Sequence, residues 1–231
     1  MSRLVLKLSG EALAGEAHRG FDESVCRGVA RQVKTLVEDG FEIGVVIGGG
    51  NFWRGRTGNE IDRTRSDQIG MLATVMNCIY VSEIFRGEGM KTRIFTPFSV
   101  GAFTELFSAS AARAALESGE VVFFAGGTGH PYFSTDTGVV LRAIEVQADA
   151  ILMAKNIDGI YDSDPAKNPD AKRYDILSID DVIAQNLQAV DMTSSVLARD
   201  NKMPMRVFAL QEENGIIHAA RGQFNGTVIT V

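Results

Sequence analysis

Three segments of the sequence place glycine next to hydrogen-bond donors or a cation, and each follows an apolar run of strand length. They are KLSGEAL (7–13), GGGNFWRG (48–55) and AGGTGHPYFSTDTG (125–138). Glycine accepts positive φ angles and allows close approach to the backbone, so such segments are candidates for binding phosphate or another anion. GGGNFWRG matches neither the P-loop motif nor G-x-G-x-x-G. Taken alone, it fits an anion site and an ordinary glycine-rich turn about equally well.

Apolar runs of strand length alternate with segments of helical periodicity along the whole chain. The strand-like runs are residues 4–8, 43–47, 93–95, 121–125, 150–154, 206–210 and 227–230. The helical patterns are residues 22–39, 66–86, 110–118, 136–147, 178–185 and 193–201. Asp22, Ser66 and Ser178 are the predicted N-caps. This alternation predicts an α/β protein, a three-layer αβα sandwich around a mainly parallel, twisted sheet.

Ligands of parallel sheets collect outside the carboxyl ends of the strands. We therefore expect the three glycine segments to meet at one edge of the sheet. The side chains that they would bring there are Lys7, Ser9, Arg54, Thr128, Ser134 and Thr135. A fourth segment, residues 155–174, is polar and rich in turn residues, and it again follows a strand. It is predicted to be a hairpin or excursion, either a solvated surface loop or one wall of a nucleotide site.

Composition sets the broad class of the protein. The chain has 231 residues, 45% apolar and 23% charged, with a formal net charge of −6. These values are typical of a globular protein, and the acidic balance argues against a duplex nucleic-acid partner. The sequence has no signal-peptide pattern and no run of 18 uninterrupted apolar residues, so we expect a cytoplasmic protein with no membrane partner. Cys26 and Cys78 lie in separate helical patterns and are expected to be buried free thiols.

Six blocks of sequence closely resemble bacterial UMP kinases, which have the amino-acid kinase fold. They are KLSGEAL, VVIGGGN with RG at 54–55, GMLATVMN (70–77), GTGHPYFSTD, DGIYDSDPAK and LARDNKMPMRVF (197–208). The resemblance extends from Leu4 to Thr230. It implies a single amino-acid kinase domain over residues 1–231, in which about 1–150 mainly bind UMP and about 151–231 mainly bind ATP. The implied activity is Mg²⁺-dependent transfer of the ATP γ-phosphoryl group to UMP in pyrimidine nucleotide biosynthesis, giving UDP and ADP.

The resemblance also implies roles for individual residues. The implied ATP-binding residues are Lys7, Leu8, Ser9, Gly10, Gly50, Arg54, Lys155, Asn156, Tyr161 and Asp164. The implied UMP-binding residues are Gly49, Asp67, Thr128, Gly129, His130, Pro131, Tyr132, Phe133, Ser134 and Thr135. The implied catalytic residues are Lys7, Arg54, Asp136 and Asp191. Without the resemblance, Asp67 and Asp136 would both be interpreted as ordinary acids in the first turn of a helix.

The chemistry of this reaction fits such a set of residues. The second pKa of a phosphate monoester is about 6, so UMP is largely a dianion at neutral pH and needs no general base. Catalysis then consists of positioning two polyanions and stabilising charge on the transferred group. The sequence has no His, Asp and Glu cluster with metal-ligand spacing, so Mg²⁺ is expected to be held mainly through ATP.

Regulation and assembly are further implications of the resemblance. The family includes hexamers that GTP activates and UTP inhibits, and the implied effector residues are Gly15, Glu16, Ala17, His18, Arg19, Gly20 and Arg93. Ser82 and Arg86 stand where some GTP-responsive members have Arg and His. Two alternatives to UMP kinase stay open: a kinase of the same fold acting on acetylglutamate or carbamate, and a non-catalytic uridine-nucleotide sensor. Phe52 and Trp53 are expected to pack under the glycine segment.

Overall fold

The computed structural model describes residues 2–53, 61–187 and 190–231. Its strands are β1 (Arg3–Leu8), β2 (Glu42–Ile47), β3 (Thr92–Thr96), β4 (Glu105–Leu106), β5 (Val121–Phe124), β6 (Ala150–Lys155), β7 (Ile160–Tyr161), β8 (Arg173–Tyr174), β9 (Ile176–Ser178), β10 (Met205–Ala209) and β11 (Gly226–Thr230). Its helices are α1 (Gly10–Leu13), α2 (Glu23–Glu38), α3 (Arg63–Gly87), α4 (Ala109–Glu117), α5 (Thr135–Glu145), α6 (Ile179–Ala184), α7 (Met192–Asp200) and α8 (Gly215–Arg221). A 3₁₀ turn, Gly15–Ala17, follows α1.

Nine of the strands form one sheet in the order β4-β3-β5-β2-β1-β6-β10-β11-β9. Every neighbouring pair in it is parallel except β10 and β11. The mainly parallel sheet predicted from the sequence is therefore confirmed. The remaining strands, β7 and β8, pair with each other as an antiparallel hairpin inside the polar segment 155–174, as predicted.

Side chains of β1 alternate between the two faces of the sheet, because successive strand residues point in opposite directions. Leu4, Leu6 and Leu8 join one apolar core, which α2, α3 and α8 cover. Val5 joins a second core on the opposite face, where α4 and α5 pack. The sheet is thus covered on both sides, and the predicted αβα sandwich is confirmed.

Helix α3 corrects one predicted boundary. The helix begins at Arg63, and its N-cap is Asp62, whose side chain accepts a hydrogen bond from the N–H of Arg65 at 3.1 Å. The N-cap predicted at Ser66 is wrong, because Ser66 is fully buried one turn further on. By length and composition α3 also passes the test for a membrane span, but Cys78 is fully buried against the sheet, as in a core helix.

The other helices and strands either match the predicted elements or are too short to produce a recognisable hydrophobic period. Asp22 and Ser178 cap α2 and α6 as predicted, and Cys26 and Cys78 are buried free thiols. Burial raises the pKa of the Cys26 thiol to about 11, so this side chain stays protonated at neutral pH. The periodicity did not predict α1, α8, β4 or the hairpin strands individually, since none of them spans enough residues.

Leu6 tests how much stability the central strand provides. It is fully buried on β1, between β2 and β6. We expect Leu6→Ala to lower the free energy of unfolding by roughly 2–5 kcal/mol, through lost apolar burial and the cavity left behind. The measurement is equilibrium unfolding in urea. Leu106→Ala, at a leucine 62% exposed, is the matched control and should change stability by under about 0.5 kcal/mol; equal losses would contradict the assigned core.

Candidate functional site

The glycine segments lie side by side, as predicted, because β5, β2 and β1 are neighbours that end at the same edge of the sheet. The N–H of Gly48 donates to the carbonyl of Leu8 at 3.0 Å, which joins the segment after β2 to the end of β1. Strand β6 lies on the other side of β1 and ends at Lys155, so the polar hairpin begins at this edge as well.

The centre of this edge is a carboxylate shared by two ammonium groups. Lys7 Nζ lies 2.9 Å from Asp136 Oδ1, and Lys155 Nζ lies 3.4 Å from Asp136 Oδ2. Lys7 ends up here because it is the next-to-last residue of β1, and Asp136 because it is in the first turn of α5. The side chains of Lys7 and Asp136 are only 11% and 17% exposed. Lys7 and Lys155 face the Asp136 carboxylate, and Asp191 lies near enough to act on the charge of Lys155 as well, so this is a densely charged centre.

Protonation at this centre is set by burial and by the three charges together. Burial raises the pKa of the Asp136 carboxyl, but the Lys7 and Lys155 ammonium groups outweigh it and hold that pKa below its usual range. Burial lowers the pKa of Lys155; the Asp136 carboxylate opposes this, while Lys7 adds to it. The carboxylate is therefore ionised at neutral pH, and its charge opposes the lowering of the Lys155 pKa.

One pocket at this edge, the loop pocket, has a volume of about 230 Å³. Its lining residues are Gly49, Gly50, Trp53, Asp67, Gly70, Met71, Thr74, Gly127, Thr128, His130, Phe133, Ser134 and Thr135. It joins the second and third glycine segments to α3. Within residues 2–53, 61–187 and 190–231, the N–H groups of Gly49 and Gly50 donate to no protein acceptor, which makes them donors for a ligand.

Asp67 connects α3 to the third glycine segment. It is the fifth residue of α3, so the interpretation as a first-turn acid is wrong. Its Oδ2 accepts hydrogen bonds from the N–H of Tyr132 at 2.8 Å and from Nε of Arg63 at 2.9 Å. Tyr132 has a φ of 72°, a conformation that costs a side-chain-bearing residue about 1–3 kcal/mol. The Asp67 carboxylate therefore helps to hold a strained backbone in the third glycine segment.

Five lining residues of the loop pocket were not predicted as site residues: Trp53, Gly70, Met71, Thr74 and Gly127. Thr74 on α3 accepts a hydrogen bond from the N–H of Gly126 at 2.7 Å, and so fixes the start of the third glycine segment. Trp53 lines the pocket, and its Nε1 donates to Ser66 Oγ at 3.0 Å. Phe52 is 40% exposed and lies edge-on against Phe21 with 5.4 Å between ring centroids, so it is not buried under its segment. A threonine inside a helix and a tryptophan in a loop carry no periodic signal, so sequence patterns could not identify them.

Asp191 acts on the site through other residues. It is the N-cap of α7, accepting from the N–H of Ser194 at 3.1 Å. Its carboxylate also accepts hydrogen bonds from the hydroxyls of Ser134 and Thr137. Ser134 is in turn the N-cap of α5. Asp191 thus fixes the first turn of the helix that carries Asp136.

A second, larger pocket of about 570 Å³, the hairpin pocket, lies between β6 and the hairpin. Lys155, Tyr161 and Asp164 line it, whereas Asn156 is exposed and is not among its lining residues. Asp158 accepts from Tyr161 Oη at 2.8 Å and pairs with Arg173 at 2.7 Å, which links the two strands of the hairpin. Since Lys155 borders this pocket and Thr135, next to Asp136, borders the loop pocket, the charged centre lies between the two.

The other predicted residues lie as follows. Ser9 is the N-cap of α1, and Gly10 begins that helix. Gly15–Ala17 form the 3₁₀ turn, and His18 has a left-handed conformation. Arg93 lies on β3 and pairs with Glu105 of the edge strand β4. Arg54 lies outside the described residues. Among the residues that the structure describes, no three His, Cys, Asp or Glu side chains are grouped so as to hold a metal ion.

A mainly parallel sheet that carries glycine segments and two lysines between two pockets defines an α/β protein with its candidate site at the carboxyl ends of the strands. Comparison with known proteins identifies the family within this class. The model of the amino acid kinase family matches residues 2–209, and the chain belongs to that family.

Individual relatives agree with the resemblance found in the sequence. A protein of Streptomyces avermitilis called uridylate kinase is 46% identical over 230 residues, which are 98% of this chain and 91% of the relative. The crystal structure of a UMP kinase from Bacillus anthracis has a TM-score of 0.95 at 36% identity, covering 99% of this chain and 96% of that one. A UMP kinase structure from Ureaplasma parvum has a TM-score of 0.90 at 31% identity, covering 100% and 99%.

Asp136→Asn tests the charged centre. Because two buried ammonium groups would lose their carboxylate, we expect a loss of stability at pH 7 of up to about 3–5 kcal/mol. A depressed folded-state pKa gives stability that is present above the unfolded value, near 4, and is lost as pH falls through the folded value. The loss should therefore stay constant from pH 7 to about pH 5 in urea unfolding.

Asp39→Asn is the matched control for this experiment. Asp39 makes an exposed ion pair with Arg221 at 2.6 Å, and its replacement should cost under about 1 kcal/mol. A penalty for Asp136→Asn that fades between pH 7 and pH 5, or that equals the control, would contradict the assigned pairing.

Proposed function

We propose that this chain is a UMP kinase, which transfers the γ-phosphoryl group of ATP to UMP and so produces ADP and UDP. The observation that carries the proposal is the Lys7–Asp136–Lys155 centre between two pockets of different size. A centre of this kind suits a reaction in which a phosphoryl group passes from one anionic ligand to another. The relatives named above supply the choice of UMP as the acceptor.

In this proposal UMP occupies the loop pocket and ATP the hairpin pocket. The larger volume suits the larger nucleotide, and Tyr161 offers a ring beside it. Asp67 and the third glycine segment would contact UMP, and Lys155 and Asp164 would contact ATP. This arrangement agrees with the prediction that about 1–150 mainly bind UMP and about 151–231 mainly bind ATP.

Catalysis would rest on position and charge. The acceptor phosphate is already a dianion, so no side chain has to remove a proton. Lys7 would stabilise the charge that develops on the transferred group, and the N–H groups of Gly49 and Gly50 would hold phosphate oxygens. Asp136 would orient Lys7 and Lys155 rather than act as a base, and Asp191 would hold the first turn of α5. Arg54 remains a proposed further cation.

Mg²⁺ is proposed as the cofactor. Bound to the ATP phosphates, it neutralises part of their charge. Asp136 is already held by two lysines and Asp191 by hydroxyl and N–H donors, so the metal would be held mainly through the nucleotide.

Lys7→Ala tests the role of the central cation. We expect kcat for UMP to fall by roughly 10² or more, as when one preorganised donor to a developing anion is removed. The measurement is ADP release at saturating ATP and UMP. Lys34→Ala on α2, at a lysine whose side chain is 42% exposed, should keep wild-type turnover. Near-normal kcat in Lys7→Ala would contradict the assignment.

The acceptor itself is tested by the same coupled assay. Wild-type protein with Mg-ATP is offered UMP, CMP, acetylglutamate and carbamate in turn, with and without GTP or UTP. We expect turnover with UMP; turnover only with a small acid would support the alternative kinase. UMP binding without turnover would support the sensor. The responses to GTP and UTP are separate proposals. If neither nucleotide changes the rate, the proposed regulation is rejected and the proposed reaction stands.

We also propose that the enzyme is a cytoplasmic homo-oligomer, predicted to be a hexamer, of pyrimidine nucleotide biosynthesis. Support for assembly comes from α3, which exposes Ile69, Leu72, Met76 and Ile79, each 39–50% accessible. Their spacing of 3, 4 and 3 residues places them on one face of the helix, opposite the buried face. An apolar stripe of this length suits pairing with the same helix of a second copy.

Met76→Lys tests this face. A charge in the middle of a self-complementary apolar contact appears on both copies, so we expect the mass measured by light scattering to fall. Met192→Lys on α7, at a methionine that is equally exposed at 47%, should leave the mass unchanged. A monomeric wild-type chain, or a Met76→Lys variant of wild-type mass, would overturn the proposed interface.

A further inference from the structure

Two buried asparagines pair at the second glycine segment, one within the segment and one on α3. Asn51 is 1% exposed and Asn77, on α3, is fully buried. Their side-chain amides pair reciprocally: Asn51 Nδ2 donates to Asn77 Oδ1 at 3.0 Å, and Asn77 Nδ2 donates to Asn51 Oδ1 at 2.8 Å.

The remaining N–H groups of this amide pair hold two backbone carbonyls. Asn77 Nδ2 donates to Gly48 O at 2.7 Å, and Asn51 Nδ2 donates to Gly20 O at 2.8 Å. A side-chain amide has two N–H groups, so all four donors of the pair are used within the protein. Neither residue can donate to a substrate without losing one of these bonds, which makes both of them positioning residues.

The amide pair restrains three glycines that have no side chains of their own to hold their backbone in place. Gly48, Gly49 and Gly50 have no side chains, and glycine has the largest conformational freedom to lose. The Gly48 residue is held on both sides, its N–H by Leu8 O and its carbonyl by Asn77. The next N–H groups, those of Gly49 and Gly50, are the ones that face the ligand in the proposed function. Their direction therefore depends on the amide pair.

The same pair contacts the first glycine segment. A Cβ added to Gly10 would overlap Asn51 Oδ1 and Gly48 O and would lie 3.0 Å from Asn77 Nδ2. Gly10 is thus glycine because the chain passes directly against the amide pair. The segments after β1 and β2 are consequently packed on one shared support.

A second set of contacts links the same parts of the chain. Phe21 stacks on Tyr80 of α3 with 3.9 Å between ring centroids, and Phe52 packs edge-on against Phe21 at 5.4 Å. Phe21 follows Gly20, Phe52 follows Asn51, and Tyr80 is one turn from Asn77. Loop 14–21 is therefore joined to the glycine segment and to α3 twice, once through amides and once through rings.

We infer that the Asn51–Asn77 amide pair positions Gly48–Gly50 for phosphoryl transfer and couples that segment to loop 14–21. The inference rests on the proposed function for its kinetic consequence, but the position of the segment can be tested separately. Removing either amide leaves Gly48 O or Gly20 O unpaired and the glycine segment unsupported. The ligand-binding N–H groups should then lose their fixed geometry.

The kinetic experiment compares Asn51→Ala, Asn77→Ala and the double variant with wild type. We expect each single variant to lower kcat about 10- to 100-fold, because small displacements of positioning groups are costly. The double variant should be no worse than the more impaired single variant, since the two amides act as one unit. The control is Gln32→Ala, which removes another side-chain amide bonded to the backbone, at Ile216 N; it should keep wild-type kcat.

A fluorescence experiment tests the segment without any substrate. Trp53 is the only tryptophan in the chain, and its backbone N–H donates to Gly49 O at 3.0 Å. Acrylamide should quench Trp53 more strongly in Asn51→Ala and Asn77→Ala than in wild type or Gln32→Ala, at temperatures where all are folded. If Asn77→Ala does not fold, Asn51→Ala alone provides both readouts.

The outcomes separate this inference from the proposed function. A wild-type protein without UMP kinase activity overturns the function, whereas the quenching result still decides whether the amide pair holds the segment. Active wild type with kcat in Asn51→Ala and Asn77→Ala within about twofold of it, or with the same loss in Gln32→Ala, overturns the inference. Additive losses in the double variant overturn the claim that the amides act as one unit.

Discussion

The site depends on one electrostatic constraint: a carboxylate has to lie between the two lysines that the sheet brings to this edge. Asp136 meets it, at 2.9 Å from Lys7 and 3.4 Å from Lys155. The three groups come from β1, β6 and α5, so their distances are set by a continuous parallel sheet and by the helix packed on it. The charge between the two pockets is therefore a property of the whole fold rather than of one loop.

At the same edge of the sheet, side chains of α3 hold the backbone of the glycine segments in place. Asp67 holds Tyr132, Thr74 holds Gly126 and Asn77 holds Gly48, each by a hydrogen bond of 2.7–2.8 Å to a backbone group. All three side chains come from α3. One helix thus supports both glycine segments of the loop pocket, while its opposite face carries the exposed apolar stripe.

The sequence predicted the sheet, the position of its glycine segments and the hairpin, because buried parallel strands have a continuous apolar pattern and their ends share an edge. It did not predict the true start of α3, since Asp62 and Ser66 are both good caps and only packing shows which is buried. Thr74, Asn77 and Trp53 were missed for a related reason. Their roles arise from hydrogen bonds across the fold, to residues 52, 29 and 13 positions away, and no local pattern records them.

The hairpin differs from the rest of the site in how it is held. Strands β7 and β8 have two residues each and join no strand of the main sheet, and a pair this short is only marginally stable. It is anchored at one end, where Ile160 N donates to Thr227 Oγ1 of β11 at 2.8 Å. Its far end should therefore open more easily than the paired central strands β1 and β6. In the proposed function, opening of this hairpin would admit a nucleotide to the hairpin pocket without disturbing the main sheet.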